Sequence, residues 1–405
     1  MGQTGDRERR ALFIEADAAT AAIIERDLAA CGRPWSATIL PTTEDGLLEC
    51  RREPYDLVVA DAGAPGRSGA EFLHRIAESV PGAVRVLVAD QARENAAIRG
   101  AASAHQVLSK PFQPGVIHGM LQMATDLGDL LANPVATATV GELESLPSIP
   151  AAYLRLSELL ARDDVTIAGL TEVVQGDTSL SARVLQMANS PYFGTGTAVV
   201  SLERAVSVLG SRLIKSLAMV DGMFRSVDHM ALPLEFDPRI EQEHASAVGG
   251  LARRLAGPAR GDAAFSAGIL HDLGRLLLAV RAPEKFEDVV ARATESGQSM
   301  LVAERELLGT DHAELGSYLL AAWGLPWTII SGVRHHHQPS RERERQGVAV
   351  FVHLADCLLR EVKPEGALYP APLDAGAVSG LGRDADLPGW RGLVAQAAAT
   401  EAQPG

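Results

Sequence analysis

Between Ala11 and Leu131, short aliphatic runs alternate with amphipathic stretches. The runs read "ALFIEA", "ATIL", "LVVAD", "RVLVA" and "HQVLSK". Near-continuous apolar runs followed by helical patterns describe strands buried on both faces, so five such units predict an open parallel sheet with helices on both sides. In such sheets the ligand site lies outside the carboxyl ends of the strands. Glu15, Asp61, Ala89 and Lys110 all fall at or near those ends and are expected along one edge.

The stretch "LANPVATATVGE" has neither alternation nor an apolar stripe, and residues 133–141 are read as a linker between a first domain (1–132) and a second (142–362). From "LPSIP" onward the pattern is helical. "DTSLSARVLQMANSPYFG" offers Asp177 or Ser179 as a start and Pro191 and Gly194 as stops, and "SLERAVSVLGSRLIKSLAM" has Ser201 as N-cap. "TDHAELGSYLLAAWGLP" sets Asp311 three residues before Glu314 and ends at Gly324 and Pro326. Short loops between such segments predict an all-α bundle. Residues 363–405 are rich in Pro and Gly and are expected to pack loosely, with "TEAQPG" disordered.

Length agrees with this division, since 405 residues exceed one core at about 150 residues per domain. The 37 Lys and Arg against 51 Asp and Glu leave a formal charge of −14, which repels phosphate backbones and anionic lipid. "RERER", Arg341 to Arg345, alternates in sign and reads as a solvated face rather than a nucleic-acid patch. Cys31, Cys50 and Cys357 are odd in number and scattered, which fits reduced thiols. No apolar run approaches bilayer length and "MGQTGDRERR" has no hydrophobic signal core, so a cytoplasmic location without membrane contact is expected.

"VVADAGAPGRSG" supplies Asp61 after the third strand, "LSKPF" supplies Lys110 and Pro111 after the fifth, and "IEADA" supplies Glu15 after the first. These motifs resemble the response-regulator receiver, an α/β flavodoxin-like (βα)5 domain. The resemblance implies that Asp61 accepts a phosphoryl group, that an acidic pair with it holds Mg²⁺, and that Lys110 completes the site. Two positions depart from the pattern: Ala16 stands at the second acidic position, and Ala89 where a hydroxyl is expected. Mg²⁺ demands near-octahedral oxygen coordination, so a lost carboxylate weakens its site. A lost hydroxyl removes the donor through which an acyl phosphate draws a loop inward. Asp17 would replace the missing acid only with a shift of its loop. An incomplete switch is expected, or a retained docking or dimerisation module.

In "AGILHDLGRLLLA", Ala267 to Ala279, His271 and Asp272 interrupt an apolar segment. Such a pair can satisfy itself by hydrogen bonding in a core, or it can hold a metal. Six segments occur in an order that resembles the HDOD domain, a helical branch of the HD superfamily related to the HD-GYP phosphodiesterases. They are "LPSIPAAYLRL", "VVQGDTSLSARVLQMANSPYFG", "SLERAVSVLGSRLIKSLA", "GILHDLGRLLL", "LLGTDHAELGSYLLAAWGLP" and "RHHHQP". The resemblance spans about Leu146 to Arg360. It implies His244, His271, Asp272 and Asp356 as ligands of a divalent Fe, Mn or Zn ion that activates water for phosphate-ester hydrolysis. His312, His336 and His337 resemble the additional histidines of the larger HD-GYP site. Four polar groups so far apart would otherwise each need a separate partner.

Other features pull the opposite way. Arg275 follows "HDLG" where those phosphodiesterases carry lysine, and "HHHQPSRERER" replaces their signature. His312 is expected at an exposed helix start, His336 and His337 near a helix end that favours charged imidazole, and His335 in packing. Residues 146 to 230 carry no titratable cluster and read as core.

Three functions stay open. The leading one is a cytoplasmic two-component-type signalling protein whose HDOD module acts through protein contacts. The second is a metal-dependent phosphohydrolase or cyclic-dinucleotide phosphodiesterase, and the third a non-catalytic nucleotide sensor. Protein partners such as a sensor kinase are expected rather than nucleic acid, and a homo-oligomer is left open.

Overall fold

All five expected strands form, and their pairing is parallel throughout: β1 (Arg9–Ile14), β2 (Trp35–Leu40), β3 (Leu57–Asp61), β4 (Val84–Asp90) and β5 (Gln106–Lys110), in the order β2-β1-β3-β4-β5. The computed structural model describes residues 9–30, 35–80, 82–90, 104–112, 116–131, 133–141, 149–160, 162, 165–193, 199–227, 229–342, 347–362, 373–380 and 386–401. Around the sheet run α1 (Ala18–Ala30), α2 (Thr43–Cys50), α3 (Gly69–Ser79) and α4 (Val116–Leu131). The amphipathic stretch expected after β4 falls in residues 91–103, outside the described set. Residues 57–60 of β3 and 84–89 of β4 are buried, as a sheet covered on both faces requires.

The rest is helical: α5 (Pro134–Val140), α6 (Ala151–Leu160), α7 (Ile167–Gln175), α8 (Thr178–Ala188), α9 (Leu202–Ser226), α10 (Pro238–Ala256), α11 (Gly261–Leu270), α12 (Leu273–Arg281) and α13 (Pro283–Ser296). Then come α14 (Met300–Leu308), α15 (His312–Ala322), α16 (Trp327–Arg334), α17 (Ala349–Val362), α18 (Ala375–Gly380) and α19 (Leu387–Glu401). The expected start signals operate. Asp177 caps α8 by accepting from Leu180 N (3.2 Å), while Ser179 donates to Asp221 Oδ1 (2.8 Å). Ser201 caps α9 (3.2 Å to Arg204 N), and Asp311 Oδ1 accepts from Glu314 N (3.0 Å). The stop Gly194, residues 343–346 of the "RERER" region, Cys31 and the opening eight residues lie outside the described set.

Three expectations are corrected. Most of the stretch read as a linker is helix α5, which buries Ala136, Thr139 and Val140. Residues 363–405 include α18 and α19, with Val394 fully buried and Arg391 paired to Glu361 through two hydrogen bonds of 2.9 Å. Residues Thr400 and Glu401 of "TEAQPG" belong to α19, and 402–405 are outside the described set. Finally, Gly261–Arg281 is long and apolar enough by composition to cross a membrane, at mean hydropathy 1.4. However, 89% of that window is buried within the protein, because α11 and α12 form the bundle core. The chain divides into two compact units, one of residues 1–133 with 160–163 and 320–327, the other of the remainder.

Candidate metal centre

The sheet edge gathers the expected α/β residues. Lys110 Nζ stands 2.5 Å from Glu15 Oε2 and also donates to Asp61 Oδ2, whose other oxygen accepts from Gly63 N (2.6 Å). Burial works against the Lys110 ammonium, yet Asp61 and Glu15 hold its pKa above the usual lysine value. Asp17 does not join them. Its carboxylate caps α1, accepting from Thr20 Oγ1 (2.6 Å) and Thr20 N (2.9 Å), and those bonds lower its pKa. Ala89 is buried in β4 and offers no hydroxyl.

In the helical unit, seven candidates whose first and last members, His244 and Asp356, lie 112 positions apart in the sequence converge. His244 comes from α10, His271 and Asp272 from the break between α11 and α12, His312 from the first turn of α15, His336 and His337 from the segment after α16, and Asp356 from α17. Asp272, at φ −98° and ψ 12°, interrupts the helical run and lets the pair face inward. Two close approaches permit this. A Cβ on Gly268 would lie 2.8 Å from Gly249 Cα, so α10 and α11 cross with no side chain between them. A Cβ on Gly274 would lie 1.9 Å from His312 O, so α12 carries Asp272 against the start of α15.

Two ligand groups result: Asp272, His312, His336 and His337, and His244, His271 and Asp356, each with candidate ligand atoms within 4.8 Å of one another. His244 Nε2 lies 2.8 Å from Asp356 Oδ1, and His312 Nε2 lies 3.2 Å from Asp272 Oδ1 and 2.7 Å from His337 Nε2. His271 and His336 each donate Nδ1–H to a backbone carbonyl, Gly268 O and Val333 O, both at 2.7 Å. That fixes their tautomer and turns Nε2 inward. His271 Nε2, His336 Nε2 and Asp272 Oδ1 are then buried without a hydrogen bond. Three inward-facing orphans of this kind fit a divalent ion, and the N and O donors suit Mn, Fe or Zn.

Two expectations fail here. His312 is buried, at 4% exposure, rather than at an exposed helix start. His336 is fully buried, and burial together with the charge on His271 pushes its pKa down to about 3, so it does not act as a cation at the end of α16. Burial lowers His244 and His337 as well. Without a metal, His271 and His312 behave differently: burial opposes their charge, but Asp272 and Asp356 hold His271 at about 9, and Glu304 with Asp272 holds His312 at about 10, protons that a bound divalent ion would displace. His335 is half-buried and belongs to neither group.

Sequence reasoning missed four residues that surround this centre. Glu304 Oε2 accepts from His312 Nδ1 (2.7 Å) and His312 N (2.9 Å). Arg360 Nε donates to Asp356 Oδ1 (2.6 Å) and its Nη2 to Asp272 Oδ2 (3.1 Å). Arg275, noted only as a departure, reaches Asp272 Oδ2 (3.5 Å) and Glu241 Oε1 (3.0 Å). His353 donates Nδ1–H to His336 O (2.8 Å) and accepts from Asp374 N (2.8 Å). The spacings Asp272 to Arg275 and Asp356 to Arg360 are helical neighbours and were a readable signal. Nothing in the sequence marks Glu304.

A five-stranded parallel sheet in 2-1-3-4-5 order with acids and a lysine at its carboxyl edge, followed by a helical bundle enclosing a His-Asp cluster, defines a receiver-type α/β unit joined to an HD-type unit. Residues 146–339 match the HDOD domain family, so that stretch of the helical unit is an HDOD domain. An uncharacterized protein of Treponema pallidum (strain Nichols) is 25% identical over 233 residues, a match covering 56% of this chain and 44% of that protein, less than half of the relative's length. A solved structure from Marinobacter aquaeolei VT8 is similar in fold, with 83% of each chain covered, 23% identity and TM-score 0.51. An HDOD domain protein of unknown function from Geobacter sulfurreducens covers 67% of this chain and 88% of its own, at 26% identity and TM-score 0.49.

Proposed function

We propose that this chain is a cytoplasmic signal-transduction protein in which a receiver-type unit governs an HDOD output that acts by contact with protein partners. One observation carries the reading: Asp61, Glu15 and Lys110 meet at the edge of a receiver-type sheet in the same chain as an HDOD domain. Ala16, Ala89 and the capped Asp17 weaken Mg²⁺-dependent switching there, so Asp61 serves as an acceptor only inefficiently. A net charge of −14 favours protein partners, a sensor kinase among them, over nucleic acid.

A second reading, metal-dependent phosphohydrolase, is favoured by the two ligand groups around Asp272. A divalent ion held there supplies Lewis acidity and a fixed positive charge for phosphate. In the signalling reading the same residues, Asp272 ahead of α12, His312 on α15 and His336 and His337 after α16, would hold the ion in a structural role.

The test is a comparison of two readouts on the full chain loaded with Mn²⁺. The expected result is no turnover of bis(p-nitrophenyl) phosphate or cyclic dinucleotides, with crosslinked protein partners retained in Asp272→Ala. Metal-dependent turnover that disappears in folded Asp272→Ala would replace this reading with the hydrolase.

A further inference from the structure

The two ligand groups are not equivalent, because a guanidinium occupies one of them. Arg360 lies on α17 one turn beyond Asp356, with its side chain 11% exposed, and reaches both acidic side chains of the centre. Its Nε is 2.6 Å from Asp356 Oδ1, the same oxygen that faces His244 Nε2 at 2.8 Å and His271 Nε2 at 3.8 Å. Its Nη2 is 3.1 Å from Asp272 Oδ2, an oxygen shared with Arg275 Nη1 at 3.5 Å and His271 Nε2 at 3.3 Å. An arginine cannot give up its charge in a protein. A dication bound to Asp356 Oδ1 would therefore sit against a fixed positive charge in a buried site, where Coulomb repulsion is poorly screened.

In the other group the guanidiniums bond a different oxygen from the one that faces the histidines. The carboxylate of Asp272 is split: Oδ2 faces the two arginines, while Oδ1 makes no hydrogen bond and points toward His312 Nε2 (3.2 Å) and His336 Nε2 (3.7 Å). His337 completes this set, with its Nε2 2.7 Å from His312 Nε2 and its Nδ1 buried without a hydrogen bond. Tying down Oδ2 holds Oδ1 in place, and Glu304 orients His312 from behind, the outer-sphere support common to metal-ligating histidines.

We propose that Arg360 is a resident cation standing in for a second metal ion, which leaves one divalent ion per chain to Asp272, His312, His336 and His337. This rests on the reading that the histidine-rich group takes up metal. It also explains how two buried carboxylates, Asp272 and Asp356, are held together without a pair of ions. The monovalent, immovable guanidinium neutralises them permanently, whereas an ion would come and go.

The experiment loads the full chain with Mn²⁺, removes excess, counts manganese by mass spectrometry and records its electron paramagnetic resonance. The expected result is one ion per chain with the spectrum of isolated Mn²⁺, lost in His336→Ala and kept in His244→Ala. Arg360→Gln is expected to bind a second ion and to show a spin-coupled pair, and adding His244→Ala to it returns the count to one. Two coupled ions in the wild type overturn the inference without any variant, and so does a folded Arg360→Gln that stays at one. No manganese in either the wild type or folded Arg360→Gln would remove the metal-binding reading beneath it. Metal confined to His244, His271 and Asp356 would leave metal binding intact and defeat only the assignment of Arg360.

Discussion

Charge at the His-Asp centre is governed by a few side chains whose roles differ atom by atom. Glu304 never faces the ligand group directly, yet it holds His312 Nδ1 at 2.7 Å and so directs Nε2 inward. Glu304→Gln keeps the shape and loses the charge, and Mn²⁺ affinity is expected to fall by about 10–100-fold in competition with a fluorescent chelator. Unchanged affinity would mean that His312 is not a ligand. Outside the centre, burial pushes the Lys215 ammonium down to about 8 from the usual 10.5, with Nζ 4.6 Å from the centre of the Tyr153 ring. Below pH 8 both folded and unfolded chains carry the charge, and the folded state bears the cost of burying it. Between about pH 8 and 10.5 the unfolded lysine still binds its proton while the folded one has lost it, so stability rises with pH across that window. Lys215→Met is expected to stabilise the chain at pH 7 by about 1–3 kcal/mol, an advantage that fades from pH 8 to 10.5. Urea unfolding of both proteins at several pH values checks this, and a gap that does not narrow contradicts it.

Helices and strands bring these residues together only where backbones can approach. Gly274→Ala introduces a Cβ 1.9 Å from His312 O, so α12 or α15 must shift. The variant is expected to lose about 1–3 kcal/mol of stability and to bind Mn²⁺ more weakly, since Asp272 and His312 sit on either side of that contact. Retained affinity in the destabilised variant would separate packing from ligation. At the sheet edge, Ala16→Asp restores an acidic pair after β1 and is expected to raise Mg²⁺ affinity roughly tenfold by calorimetric titration. No gain would mean that Lys110, already bonded to Glu15 and Asp61, excludes the ion. The strands were legible because buried parallel strands are near-continuous apolar runs, as "LVVAD" and "RVLVA" are. Helix α5 was not, because its stripe of Ala136, Thr139 and Val140 is built of small residues, and Thr139 hides its hydroxyl by bonding Val135 O (2.8 Å). Helix α19 was masked by Pro388, which a first turn tolerates because its missing N–H has no partner there in any case.

At the level of the whole molecule, a metal held at the buried His-Asp centre would link its binding to folding. An ion present at 100 times its dissociation constant adds about 2.7 kcal/mol to the unfolding free energy. A chelator is therefore expected to lower the thermal midpoint of the wild type and to leave His336→Ala unmoved, and equal shifts in both would place the metal elsewhere. The same packing accounts for Gly261–Arg281, whose composition passes for a membrane span although the segment is the interior of a helical bundle. Sequence alone determined the parallel sheet, the residues at its carboxyl edge, the helical character of the second unit and the residue types of a candidate metal centre, because periodicity and strand ends are local properties of the chain. It could not determine that Asp272 offers one oxygen to histidines and the other to arginines, that His312 is buried, or that Arg360 reaches across to a residue 88 positions away. Those depend on which faces of α10, α12, α15 and α17 meet, and on glycines that let them meet closely. Only the packed structure sets such distances.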